Sequence, residues 1–170
     1  RAESIFTPDV TSSANPRGLL QLLPSTAESI ARQNGIAWQG PESLYQPDVN
    51  ILLGAGALRD VIDTFNGKAY QAIGAYNAGP TPVNRWLQAR PALDPDFWIE
   101  TVPFKETREY IPRVLAFSVI FDWRLKQPVM PISRRLIGDF STPFKTVAMK
   151  CPAPAPAAAA AAPVKPKKRR

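Results

Sequence analysis

The chain reads as an all-α domain followed by a low-complexity tail, and three observations lead there. Apolar residues recur at helical spacing in two long runs, Ile51-Ala55-Leu58-Ile62-Phe65 and Tyr110-Val114-Phe117-Phe121-Leu125. The breaks between apolar runs hold Asn34-Gly35, Asn66-Gly67 and Gly79-Pro80. Such residues stop helices because they tolerate a left-handed backbone or lack a donor. Near residue 150 the composition changes to Pro and Ala ending in Lys167-Lys168-Arg169-Arg170, which reads as disordered. The expected division is a domain over residues 1–149 and a tail over 150–170.

Taken in order, Ser25-Thr26-Ala27-Glu28 has capping-box spacing and opens a short helix with Ala27, Ile30 and Ala31 on one face. Residues 36–47, with Gly40-Pro41 and Gln46-Pro47, read as a loop. Asp48 or Asn50 is the expected cap of the next helix, whose buried stripe is the first long run above. Ala69 to Asn77 form a helix of small residues that breaks at Ala78-Gly79-Pro80. Thr81-Pro82 start another, with Val83, Trp86 and Leu87 inward. A Pro-rich loop over 90–96 precedes the second long run. Pro112 fits that helix only within its first turn, since proline lacks the N–H needed further in. Leu136, Ile137, Phe140 and Phe144 can pack as a strap over the domain. The six alanines of 157–162 are too few to hold a helix alone in water.

At 170 residues the chain is long enough to bury a working core. It has no His and one Cys, which removes Ser-His-Asp and Cys-His catalysis, most zinc sites and any disulfide within the chain. Carboxylates remain as the acid/base groups. The net charge of +7 suggests nucleic acid until it is located. Residues 150–170 hold six lysines and arginines and no acid, so the domain itself carries only about +1. The basic end is a solvated tail able to make loose, salt-sensitive contacts with anionic polymers. No stretch is apolar enough to span a membrane and no signal peptide is visible. The chain starts at Arg1, without Met, so a fragment or processed chain is expected, with Glu3 near a fraying end.

Three stretches carry chemistry. Glu3-Ser4 is followed by Ser12 and by Gly18-Leu19-Leu20-Gln21-Leu22-Leu23-Pro24-Ser25-Thr26-Ala27. An acid that stays protonated at neutral pH must be shielded from water, and Leu20 and its neighbours can supply the wall. A lone Glu is otherwise an ordinary surface charge. Ala75-Tyr76-Asn77-Ala78-Gly79-Pro80 reads locally as a helix C-terminus, which also leaves Tyr76 and Asn77 able to face a cleft. Glu100-x-Val102-Pro103-Phe104-x-Glu106-Thr107-Arg108-x-Tyr110 reads as an acid-rich helix start. The four tryptophans, Trp38, Trp86, Trp98 and Trp123, are assigned to packing rather than to sugar stacking.

In this order, the three stretches resemble the motifs of the soluble lytic murein transglycosylases, closest to their large superhelical branch, over about residues 1–125. Asn15-Pro16 stand where that family has Gly-Ala, and Leu20 where it has Met, a volume-conserving swap. The resemblance implies a lysozyme-like fold and cleavage of the β-1,4 bond between N-acetylmuramic acid and N-acetylglucosamine in peptidoglycan, giving a 1,6-anhydromuramoyl end. It implies Glu3 as the catalytic acid and then base. Ser12, Leu20, Gln21, Tyr76, Asn77, Glu100 and Tyr110 become the substrate-binding set, with no cofactor or metal. The glycan strand is the implied partner, nucleic acid is not one, and the implied location is the periplasm or cell envelope. Two other readings stay open: a hydrolytic muramidase using Glu100 as a second carboxylate, and a non-catalytic peptidoglycan-binding fragment.

Overall fold

A computed structural model describes residues 3–12, 15–125 and 127–138. Its elements are α1 (Pro24–Gln33), a 3-10 helix (Pro41–Tyr45), α2 (Pro47–Thr64), α3 (Ala69–Ala78), α4 (Pro80–Ala89), α5 (Pro95–Glu100), α6 (Lys105–Arg124) and α7 (Ile132–Ile137). Among the described residues the only β pairing is isolated bridges at Arg17, with Thr11 and Leu22.

Small side chains put α3 at the centre, packed against α2, α4, α6 and α7. Gly74 shows how close the helices come: a Cβ there would lie 3.3 Å from Ile111 Cδ1 on α6. At Gly79 the chain turns from α3 into α4 without a loop, through a backbone at φ +89° that glycine adopts freely. Apolar burial, the dominant favourable term in folding, falls into two clusters. Phe65, Val83, Trp86, Trp98, Ile99, Val102, Ile111 and Leu115 form one, with Tyr70 edge-on to Trp98 at 5.3 Å between ring centres. Leu22, Ala27, Ile30, Ala31, Leu44, Leu53 and Ala57 form the other, with Trp38 and Tyr76 packed against it. None of the four tryptophans lines the groove described below.

Several sequence expectations change. The capping box at Ser25 does not form, because Pro24 opens α1 and Leu23 takes the cap position, which puts Ser25 inside the first turn. The loop over 36–47 contains the 3-10 helix, and α5 begins inside the expected 90–96 loop. α2 buries Asn50, Leu53, Gly54 and Ala57, while Ile51 is 50% and Leu58 41% exposed; of the expected stripe, Phe65 alone is fully buried. The helix is rolled this way because the Leu20 side chain lies on Gly54, where a Cβ would come within 2.4 Å of it, and because Asn50 is hydrogen-bonded on the inner face. α6 buries Thr107, Tyr110, Ile111 and Leu115, whereas Phe121 and Leu125 are exposed. Pro112 sits in its interior, on the exposed face, not in the first turn. Leu136 packs on the first cluster, Ile137 is exposed, and Arg135 of α7 pairs with Asp122 of α6. Phe140, Phe144, the 149/150 boundary and the tail lie outside the described residues.

Candidate active site

One wall of the site is the loop between Glu3 and α1. Arg17 and Leu22 pair through both backbone bonds, 3.0 and 3.1 Å, and the turn between them closes with Gln21 N–H donating to the Gly18 carbonyl at 3.1 Å. Gly18 has φ +73°, and a Cβ would stand 2.2 Å from the Leu44 carbonyl oxygen, so only glycine fits. Gln21 has φ +46°, an uncommon backbone for a side-chain-bearing residue. Asn50, fully buried, holds this turn from α2. Its Nδ2 donates to the Arg17 carbonyl at 2.9 Å and the Leu44 carbonyl at 2.8 Å, and its Oδ1 accepts the Leu20 N–H at 2.8 Å.

The Gln21 side chain turns back on the loop. Its Nε2 donates to the carbonyls of Val10, at 3.1 Å, and Gly18, at 2.9 Å, while its Oε1 accepts from Ser12 Oγ at 2.5 Å. Both amide protons and the Ser12 proton are therefore committed, and what remains for a ligand is acceptor capacity on Oε1 and Oγ. Ser4 Oγ donates to the Leu19 carbonyl at 2.8 Å, tying the Glu3 segment to the same loop.

The opposite wall comes from α3 and α6. Tyr76 Oη donates across to the Leu20 carbonyl at 2.9 Å. Tyr110 Oη donates to Glu3 Oε1. Thr107 Oγ1 donates to Asn77 Oδ1 at 2.6 Å, which aims the Asn77 amide toward Glu106, 3.4 Å away. Helical spacing sets this arrangement: Glu106 and Tyr110 are one turn apart, and Tyr76 and Asn77 occupy the last turn of α3.

Burial raises the Glu3 carboxyl above its ordinary range, the Tyr110 hydrogen bond opposes the shift, and the Glu106 charge adds to it. Burial and the Glu3 charge push the phenols of Tyr76 and Tyr110 well above their usual range, so both stay neutral donors.

Glu3, Ser12, Pro16, Gln21, Leu23, Tyr76, Asn77, Glu106, Glu109, Tyr110 and Arg113 line a cavity of about 430 Å³. A second cavity of about 540 Å³, reaching Thr26, Asp60 and Pro80, shares Gln21, Leu23, Tyr76 and Asn77 with the first. The two form one groove passing the acid. Of the residues singled out in the sequence, Glu3, Ser12, Gln21, Tyr76, Asn77 and Tyr110 converge on it. Leu20 and Glu100 do not line it. Leu20 turns its side chain onto Gly54 and contributes only its backbone, and Glu100 is exposed at the end of α5. In their places stand Leu23, Glu106, Glu109 and Arg113. The helical spacing from Tyr110 back to Glu106 and on to Arg113 carried that signal. Asn50 gave a weaker one: an Asn within a helix start reads as a cap, whereas here Gln46 is the cap and Asn50 is inside. No group of three or more potential metal-binding side chains occurs among the described residues, and no helix among them is long and apolar enough to cross a membrane.

Comparison with known proteins bears on this groove. Residues 1–99 match the Transglycosylase SLT domain, and residues 101–129 match the Soluble lytic transglycosylase helical domain. A putative soluble lytic murein transglycosylase of Haemophilus influenzae is 40% identical over 122 residues, 71% of this chain and 21% of that protein. The lytic transglycosylase Slt of Pseudomonas aeruginosa, solved as an inactive Glu-to-Gln mutant, superposes with TM-score 0.74 and 45% identity, covering 78% of this chain and 21% of that one. The 70 kDa soluble lytic transglycosylase of Escherichia coli gives 0.72 and 32% identity, covering 75% of this chain and 21% of that one. The chain thus spans about a fifth of the length of these relatives.

Proposed function

Because this chain belongs to the Transglycosylase SLT domain family, we propose that it cuts the β-1,4 bond between N-acetylmuramic acid and N-acetylglucosamine in peptidoglycan without water, in the periplasm or cell envelope. The observation that carries this reading is Glu3: a half-buried carboxyl with a raised pKa, facing a groove and held by a neutral tyrosine. A carboxyl so placed keeps its proton nearer neutral pH, as a general acid requires.

The steps follow from that proton. Glu3 donates it to the glycosidic oxygen as the bond to C1 breaks. The substrate's own N-acetyl group stabilises the cation developing at C1, which removes the need for a second protein carboxylate. The Glu3 carboxylate, still bonded to Tyr110, then takes the proton from the C6 hydroxyl as that oxygen closes on C1. Ser12 Oγ and Gln21 Oε1 offer acceptors to sugar hydroxyl and acetamido N–H groups, and Asn77 and Tyr76 line the same stretch.

A second reading is hydrolysis, with Glu106 rather than Glu100 activating water, since Glu106 lines the cavity and its charge is felt at Glu3. Mass spectrometry of products from purified peptidoglycan separates the two. Anhydromuropeptides, lighter by one water than hydrolysis products and absent with Glu3→Gln, are expected. Hydrated ends would move the assignment to the muramidase reading. Pelleting with sacculi without any soluble product would leave a binding module.

A further inference from the structure

The Leu20 peptide unit is gripped from both sides. Its N–H is held by Asn50 Oδ1 from α2, and its carbonyl by Tyr76 Oη from α3. The next residue, Gln21, has the positive φ and the committed side chain described above. Its amide can meet the Val10 and Gly18 carbonyls only while the turn keeps that backbone. Asn50 is itself immobilised, fully buried with all three of its bonds between 2.8 and 2.9 Å, and it joins the turn to the 3-10 helix through Leu44. Removing this amide takes a partner from the Leu20 N–H and the Leu44 carbonyl in two segments, and leaves the Arg17 carbonyl only its bond from the Leu22 N–H.

From this geometry we infer that Asn50 is a positioning residue for catalysis: it fixes the Leu20–Gln21 backbone, and with it the Gln21 and Ser12 acceptors and the Tyr76 hydroxyl beside Glu3. It touches no substrate and acts through the turn. The inference rests on the reading of this groove as the catalytic one. Misplacing reacting groups by about an ångström can cost roughly a hundredfold in rate. The expected signature is a fall in kcat that exceeds any rise in KM, because the 540 Å³ part of the groove is lined by Thr26, Asp60 and Pro80 as well as by Gln21 and Leu22 of the turn, and the helix-borne part of that lining is left in place.

Three variants of the 170-residue chain test it on a soluble glycan oligomer, with amide hydrogen exchange followed in parallel. Asn50→Asp replaces the two donors by an acceptor facing the Arg17 and Leu44 carbonyls. Gly54→Ala presses on the Leu20 side chain and leaves the Asn50 amide intact. Val83→Ala loosens the other apolar cluster, which contains no residue of the turn. The expected result is a kcat loss of about a hundredfold and faster Leu20 amide exchange in the first two. Val83→Ala should lower the melting temperature and keep both kcat and Leu20 protection. Unchanged Leu20 exchange in Asn50→Asp, or a kcat within twofold of the parent, overturns the inference, as does a rise in KM alone. If the parent cuts nothing, the catalytic reading fails, while the exchange comparison still decides whether Asn50 fixes the turn. Should Asn50→Asp not fold, Gly54→Ala set against Val83→Ala tests whether the placement of the turn sets kcat, and a Gly54→Ala kcat within twofold of the parent overturns the inference.

Discussion

On one wall of the groove, residues 15–22 keep their shape through backbone pairing, positive φ at Asn15, Gly18 and Gln21, and one buried asparagine, Asn50, reaching in from α2. On the other wall, α3 and α6 need no unusual backbone and present Tyr76, Asn77, Glu106 and Tyr110 by helical spacing alone. The loop wall therefore depends on packing from elements far away in sequence, while the helical wall is supported by the apolar cluster behind it. Changes on the loop wall are expected to damage geometry and stability together. On the helical wall the two effects separate.

The largest expected effect belongs to the group both walls enclose. Glu3→Gln should lower the cutting rate by about a hundredfold to ten-thousandfold, the range for a positioned acid/base group, measured as soluble product per unit time. The same variant reports on stability. Because the folded pKa of Glu3 lies above its unfolded value, its protonated form is the one favoured by folding, and that contribution is lost as pH rises through the folded pKa. Glu3→Gln should then melt above the parent at pH 7, and the gap should close below about pH 4; a gap that widens toward acid would contradict the burial of this carboxyl.

Gly18→Ala tests the loop wall next. With φ +73° and a Cβ contact of 2.2 Å to the Leu44 oxygen, the cost is about 3 kcal/mol, visible in denaturant unfolding together with loss of activity. Tyr110→Phe tests the helical wall. It removes the bond that lowers the Glu3 pKa, so the alkaline limb of the rate profile should move to higher pH while the fold is retained. A limb that moves to lower pH would show that Tyr110 does not stabilise the carboxylate. Thr107→Val takes away the hydroxyl that orients Asn77 and should cost about 1 kcal/mol in thermal unfolding, with the alkaline limb of the rate profile left in place. Least of all, Ile51→Ser on the exposed side of α2 should change the stability of this chain by no more than about 0.5 kcal/mol. A large loss there would restore the stripe read from spacing.

Most of the helical wall was legible in the sequence. Small residues ending in Gly79-Pro80 marked the end of α3 and so the place of Tyr76 and Asn77, and the motif ending at Tyr110 marked the start of α6. Glu100 was misplaced because α5, which ends on it, did not show in the sequence: six residues are too few for a periodic signal. Leu20 was placed facing the acid because an apolar residue in a site motif suggests a side-chain role, whereas the turn points it at Gly54.

By itself the sequence determined that this chain is helical, where its helices stop, that histidine chemistry is absent from it, and which acid stands in the first motif. These follow from local rules: helical period, glycine and proline punctuation, and the absence of histidine. Only the tertiary structure decided which faces are buried and what holds the loop. A polar Asn50 and a bare Gly54 occupy the inner face of α2 because the turn beneath them needs hydrogen bonds and room more than apolar area. The exposed Ile51 and Leu58 follow from that choice, since a helix rolled to bring Asn50 to those backbone groups leaves both outside its inner face.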